Sequence, residues 1–121
     1  MEDAGTILIA VGDGVLADSL RFSLELEGYQ AKLCDELSMY SALAGKAPAG
    51  CVVIDQDVFT RMVNGKGKAL FAKLDIPVVL IVGRETNSII ARAKAAGVTR
   101  VIEQPLLGPV LIDAVRNVLA P

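Results

Sequence analysis

The clearest pattern along this chain is a set of short, wholly apolar runs. Three of them are TILIAV at residues 6–11, CVVI at 51–54 and VVLIV at 78–82. A run of this length without polar residues is typical of a strand that is covered on both faces of a sheet. Residues 29–33 instead alternate between apolar and polar side chains, which predicts a half-exposed strand at or near a sheet edge.

Segments of helical periodicity lie between these runs. Leu16, Leu20 and Leu24 recur at every fourth position, so we predict a helix there that ends before Gly28, a residue suited to positive φ. Pro109 suits the first turn of a last helix, which is predicted to reach residue 119. The other predictions are helices at residues 36–44, 66–74 and 87–96, a short strand at 98–103, and irregular chain at 57–64.

This order of elements predicts the fold class. Strands that alternate with helices imply a parallel sheet, and right-handed crossovers place helices on both of its faces. We predict a doubly wound, flavodoxin-like α/β fold with five strands in the order 2-1-3-4-5, and a single domain of residues 1–121. The carboxyl ends of the first and third strands adjoin in that order, so Gly12, Asp13 and Asp55 should meet at one end of the sheet.

Composition narrows the classes of function. The net charge is −2, and there is no polybasic run, which argues against nucleic-acid binding by this domain. No apolar stretch approaches the roughly 20 residues that cross a bilayer. The chain has no histidine, so the usual general base and the commonest zinc ligand are missing. Cys34 and Cys51 do not form a CxxC pair, which predicts two buried, reduced thiols in a cytoplasmic protein.

Several stretches of the sequence resemble the receiver domains of two-component response regulators, and the resemblance covers nearly the whole chain. They are ILIAVGDGVLADSLRFSLELEGY, CVVIDQD, IPVVLIVG and AGVTRVIEQPL. The resemblance implies that Asp55, at the end of the third strand, is the equivalent of the aspartate that takes a phosphoryl group from a histidine kinase. It also implies an acid pair that holds Mg²⁺, a Thr or Ser after the fourth strand, a mobile aromatic residue and a Lys before the last proline.

Those supporting positions carry other residues in this chain. The acid pair falls on Val11 and Gly12, the hydroxyl on Val82, the aromatic on Val101 and the lysine on Gln104. Mg²⁺ prefers near-octahedral oxygen ligands, and phosphoryl transfer needs the charge on the transferring oxygens to be neutralised. We therefore predict a degenerate receiver, which is not an enzyme and has no resident cofactor.

The acidic residues near the third strand would form what is left of the pocket. Asp13 directly follows the positions of the acid pair, and Asp57 follows Asp55 after one residue. If Mg²⁺ bound at all, Asp13 and Asp55 would be its ligands. A structural role is the alternative for Asp55, because an aspartate at a strand end can cap the following turn or accept backbone N–H bonds.

The resemblance leads to two hypotheses on function. The favoured one is a two-component or phosphorelay signalling module that acts through contacts with a histidine kinase or a downstream effector. It includes a homodimer through the face of the fourth helix, fifth strand and fifth helix. The other is a receiver that is phosphorylated at Asp55 in an unorthodox pocket.

A competing motif supports a third hypothesis. Gly12, Gly14 and Ala17 match GxGxxA directly after a strand, and Asp35 stands at the end of the second strand. This layout suits a dinucleotide, with its pyrophosphate at the helix N-terminus and its ribose on the acid. It resembles the nucleotide-binding regulatory domains of potassium channels and transporters, although IPVVLIVG and VIEQPL follow the receiver pattern.

Overall fold

The computed structural model describes residues 6–43, 50–65, 76–83, 87–106 and 109–119. In these residues five strands alternate with five helices along the chain. The strands are β1 (Ile7–Ala10), β2 (Ala31–Leu33), β3 (Cys51–Asp55), β4 (Val78–Val82) and β5 (Arg100–Glu103). The helices are α1 (Gly14–Leu26), α2 (Glu36–Leu43), α3 (Gln56–Val63), α4 (Asn87–Ala96) and α5 (Val110–Leu119). None of the helices in these ranges is long and apolar enough to cross a membrane.

The five strands form one parallel sheet in the order β2-β1-β3-β4-β5. This confirms the predicted doubly wound sheet with its half-exposed strand at an edge, where Leu33 is 37% exposed. In the register, Ala10 pairs with Ile54, and Asp55 pairs with Ile81. The carboxyl ends of β1, β3 and β4 therefore lie side by side at one end of the sheet.

The core consists of two apolar clusters, one on each face of the sheet. Because side chains alternate along a strand, Val52 and Ile54 of β3 belong to the cluster that contacts α2, α3 and α4. Cys51 and Val53 belong to the cluster that contacts α1 and α5. A central strand needs apolar side chains at every position for this reason, which explains the wholly apolar runs in the sequence.

Short local signals set the ends of α1 and α4. Asp13 precedes α1 and caps it, since its Oδ1 accepts the N–H of Val15 at 3.0 Å and of Leu16 at 3.1 Å. Gly28 has φ +94° and Gly97 has φ +93°, the left-handed conformation that ends helices and favours glycine. The predicted stop of each helix is confirmed.

The prediction of irregular chain at 57–64 is wrong, because α3 occupies Gln56–Val63. The helix begins directly at the strand end, where Asp55 accepts the N–H of Val58 on Oδ1 at 2.8 Å and acts as the cap. Val58, Phe59 and Met62 then lie buried on one side of the helix, at a spacing typical of a helical face. The helix predicted at 66–74 lies outside the described residues.

Candidate functional site

The carboxyl ends of β1, β3 and β4 surround a cavity of about 290 Å³, which we call the mouth. Gly12, Asp13 and Asp55 all line it, so the strand order brings these three residues together as predicted. The other residues of its lining are Leu16, Gln56, Asp57, Ile81, Gly83 and Gln104. Ligands of open α/β sheets bind outside these strand ends, and the mouth is therefore the candidate site.

Both carboxylate oxygens of Asp55 accept backbone hydrogen bonds. Oδ2 accepts the N–H of Gly12 at 2.8 Å, and Oδ1 accepts the N–H of Val58 at 2.8 Å. The first bond joins the chain beyond β1 to the end of β3, and the second caps α3. Asp55 thus has the capping role that was the alternative to a reactive one, while its reactivity stays a prediction.

Gln56 makes a contact at the mouth that was not predicted. Its Oε1 accepts the N–H of Gly83 at 3.0 Å, and the bond is partly buried. The bond joins the first residue of α3 to the residue that directly follows β4. The two residues are 27 positions apart in the sequence, so no local motif indicates this contact. The predicted strand order, which places the ends of β3 and β4 side by side, was the signal that could have indicated it.

The mouth carries negative charge. Asp13, Asp55 and Asp57 supply three carboxyl groups, and none of the described residues that line it is a lysine or an arginine. Arg61, further along α3, donates its Nε–H to Glu36 at 3.0 Å. That hydrogen bond is the main cause of a raised pKa at Arg61, and the charges of Asp55 and Asp57 add to it.

The oxygen atoms at the mouth are poorly suited to bind Mg²⁺. Val11 and Gly12 have no side-chain oxygen, and three of the four oxygens of Asp13 and Asp55 already accept backbone N–H bonds. Mg²⁺ needs near-octahedral oxygen ligands at short range. Across the described residues, no group of three or more His, Cys, Asp and Glu side chains is arranged to hold a metal ion.

Three further positions were singled out by the resemblance, and they lie at the mouth or in a groove beside β5. Gln104 lines the mouth, and its backbone N–H donates to the carbonyl of Val82 at 2.8 Å. Val82 is 1% exposed, and together with Val101 it lines a groove of about 360 Å³ between α4 and β5. We call this the α4–β5 groove.

The N-terminus of α1, where the third hypothesis places a pyrophosphate, is already capped. The N–H groups of Val15 and Leu16 bind Asp13, and this carboxylate would repel an incoming anion. Neither Gly12 nor Gly14 has positive φ. A Cβ at Gly14 would meet nothing within 4 Å, so a tight turn does not explain this glycine.

Asp35, the proposed ribose ligand, lies apart from that helix end. Its Oδ1 accepts the N–H of Ser38 at 2.8 Å at the start of α2, and this bond is the first cause that lowers the pKa of Asp35. It lines a separate cavity of about 630 Å³ with Lys32 and Cys34. Ala17 is buried in the core. The residues of the dinucleotide motif therefore do not line one common cavity.

Neither thiol is a candidate nucleophile. Both cysteines are free, and Cys51 is buried as predicted, whereas Cys34 is only partly buried. Burial raises the pKa of Cys51 to about 12. Burial, followed by the charge of Asp35, raises the pKa of Cys34 to about 11. A thiol is reactive as the thiolate, which is a very small fraction of either residue near neutral pH.

The structure is similar to several solved structures of receiver proteins. The structure is similar to FixJ-N, with a TM-score of 0.76 and 27% identity over 98% of this chain and 95% of that chain. It is similar to a response regulator receiver protein from Burkholderia phymatum, with a TM-score of 0.77 and 20% identity over 94% of each chain. A CheY-like receiver domain protein from Methanospirillum hungatei JF-1 has a TM-score of 0.75 and 19% identity over 94% of this chain and 92% of that chain. No family model and no curated protein matches the sequence.

Proposed function

We propose that this chain, which has the receiver-domain fold of two-component response regulators, is an atypical signalling module that works without ordinary Mg²⁺-dependent phosphorylation. The observation that carries the proposal is the bonding of Asp55, whose two carboxylate oxygens accept the N–H groups of Gly12 and Val58. A phosphoryl group on Asp55 would disturb these bonds and add charge beside Asp13 and Asp57.

The residues that would assist phosphoryl transfer support the same conclusion. The positions of the acid pair and of the lysine hold Val11, Gly12 and Gln104, none of which carries a charge. Removal of one preorganised electrostatic contact from a transition state costs about 3 kcal/mol, a factor of about 10² in rate. The loss of both Mg²⁺ and the lysine would slow the transfer by several orders of magnitude.

Protein contact is the mode of action that we propose instead. The partner is a histidine kinase or a downstream effector of a two-component or phosphorelay system, and the surface includes the α4–β5 groove. Ile90, Val98 and Val101 give this groove an apolar lining, and charged residues of both signs line it as well, namely Lys94, Arg100 and Glu103. A homodimer through α4, β5 and α5 belongs to the same proposal. We propose no enzyme activity and no resident cofactor.

The proposal is tested by rebuilding the missing groups. Wild type is compared with a variant that combines Val11→Asp, Gly12→Asp, Val82→Thr and Gln104→Lys, which we call the rebuilt variant. The second change begins without a clash, because a Cβ at Gly12 would lie 3.6 Å from Asp55 Oδ2, an ordinary contact. Each protein is incubated with Mg²⁺ and acetyl phosphate, and phosphorylation is read by intact-mass spectrometry.

We expect no phosphorylation of wild type and clear phosphorylation of the rebuilt variant. Addition of Asp55→Asn to the rebuilt variant is the control and should abolish the modification. Phosphorylation of wild type at Asp55 would refute the proposal and support a phosphorylated receiver with an unorthodox pocket. If the rebuilt variant folds but stays unmodified, the four absent side chains are not what prevents phosphorylation.

A further inference from the structure

Asp55 and Gln56 are neighbours in sequence and bind the chain on opposite sides of β3. Asp55 accepts the N–H of Gly12, on the β1 side, at 2.8 Å. Gln56 accepts the N–H of Gly83, on the β4 side, at 3.0 Å. Both donors lie just beyond the ends of their strands, where the sheet no longer supplies a partner. These two side chains thus continue the connection between the three strands past the end of the sheet.

We propose that Gln56 is a positioning residue, whose carboxamide oxygen holds Gly83 so that the end of β4 keeps one arrangement without any ligand at the mouth. This inference rests on the proposed function, in which no phosphoryl group arrives to rearrange this part of the chain. It assigns Gln56 the task of keeping the partner surface constant.

A neutral side chain suits this task because of the charge around it. The mouth already holds the carboxyl groups of Asp13, Asp55 and Asp57, and a further carboxylate would add to their mutual repulsion. A partly buried backbone N–H needs an acceptor. The carboxamide of Gln56 supplies a neutral one, and its chain is long enough to reach from α3 to Gly83.

The bond from Gly83 to Gln56 also leaves the N–H of Gly83 unavailable to an anion that enters the mouth. The N–H groups of Gly12 and Gly83 both already have partners within the chain. An anionic group would have to displace Asp55 or Gln56 to reach either of them. The bond therefore maintains the unphosphorylated arrangement as well as the position of β4.

The link to the partner surface runs through Val82. This residue directly precedes Gly83 and is almost completely buried, and it lines the α4–β5 groove beside Val101. A bond that fixes Gly83 also limits how Val82 can be placed. In this proposal the α4–β5 groove thereby keeps one shape when no phosphoryl group is present.

The test compares three variants by amide NMR and hydrogen exchange. Gln56→Met keeps the length of the side chain but lacks an acceptor oxygen, and Gln56→Glu keeps an acceptor. Asp57→Asn is the matched control, because it changes an exposed neighbour that lines the same cavity. The N–H of Gly12 serves as an internal reference, since its partner is Asp55 in every protein.

In Gln56→Met we expect the amide of Gly83 to exchange about tenfold faster, the effect of losing one hydrogen bond of ordinary net strength. Its proton resonance should move upfield, and the resonances of Val82 and Val101 should shift with it. Gln56→Glu should exchange more slowly than Gln56→Met, because it keeps an acceptor, but faster than wild type, because its charge adds to the repulsion in the mouth. Asp57→Asn should match wild type. The amide of Gly12 should stay unchanged in all three.

Unchanged exchange at Gly83 in Gln56→Met would overturn the inference. Faster exchange without shifts at Val82 and Val101 would overturn it too, because the bond would then affect only its own donor. Both results can be told apart from a failure of the proposed function, which is read by phosphorylation of the wild-type protein at Asp55.

Discussion

Both carboxylate oxygens of Asp55 accept backbone N–H groups, and this bonding gives a structural reason for an aspartate at the end of β3. One oxygen binds Gly12 from the β1 side, and the other caps α3 through Val58. A carboxylate used in this way stabilises the ends of two elements at once, whether or not it ever reacts.

This bonding predicts the effect of replacing Asp55. Asp55→Ala should lower the free energy of unfolding by about 2 kcal/mol, the sum of a lost helix cap and a lost hydrogen bond. Asp55→Asn should lose less, because it keeps one acceptor oxygen. Urea unfolding at equilibrium measures both, with Asp57→Asn as the control that stays within about 0.5 kcal/mol of wild type. If the unfolding midpoint of Asp55→Ala lay at the same urea concentration as that of wild type, this account would be contradicted.

Asp35 provides a prediction about pH. The N–H of Ser38 holds the pKa of Asp35 below its ordinary value of 3.8 in the folded protein. The contribution of Asp35 to stability is therefore complete above that ordinary value and is lost as the pH falls through the lowered one. Asn also caps helices but does not titrate, so Asp35→Asn should remove this part of the acid dependence.

Thermal unfolding between about pH 5 and about pH 3 measures the effect. The advantage of wild type over Asp35→Asn should shrink as the pH falls, because only wild type loses the contribution of this residue. Asp18→Asn, a change at an exposed residue within α1, is the control. A difference that stays constant over this range would show that the bond to Ser38 does not depend on the charge of Asp35.

At the scale of elements, α1 has two unlike faces. Its buried side packs Leu20 and Leu24 against the sheet, whereas Val15, Phe22 and Leu26 on the other side are 82%, 63% and 69% exposed. Burial against the sheet is what stabilises a helix of this length. The exposed apolar residues contribute little to the stability of the described domain.

The two faces of α1 allow a matched pair of substitutions. Leu24→Ala should lower the free energy of unfolding by about 3 kcal/mol, because it leaves a cavity in the core. Leu26→Ala, the same change two residues later, should stay within about 0.5 kcal/mol of wild type. Urea unfolding of both variants is the measurement. A similar loss in the two would show that the exposed side of α1 is covered by another surface.

At the scale of the whole molecule, the mouth has an acidic lining, and the backbone N–H groups of Gly12 and Gly83 in it already have hydrogen-bond partners. A ligand that binds only the folded state raises stability by about 1.4 kcal/mol at ten times its dissociation constant. We expect millimolar Mg²⁺ to leave the melting temperature of wild type unchanged and to raise that of the rebuilt variant. Differential scanning fluorimetry measures both, with EDTA as the control. An EDTA-reversible rise in wild type would contradict the poor fit of Mg²⁺ to Asp13 and Asp55.

The pattern of apolar residues by itself determined the strands, the parallel sheet and its order. It could do so because a strand buried on both faces has apolar side chains at every position, and β3 and β4 both show this. The order then placed Gly12, Asp13 and Asp55 together. A helix that begins directly after the last residue of a strand gives no loop signal, so α3 was missed although the spacing of Val58 and Met62 is helical.

Only the tertiary structure decided which polar groups at the mouth bind each other. Asp55 reaches Gly12 across 43 positions and Gln56 reaches Gly83 across 27, and such partners depend on the register of neighbouring strands and on side-chain direction. The same holds for Asp35, which the motif grouped with Gly12 but which lines a separate cavity. Local patterns record how deeply each residue is buried, whereas a hydrogen bond between distant residues depends on where the folded backbone places donor and acceptor.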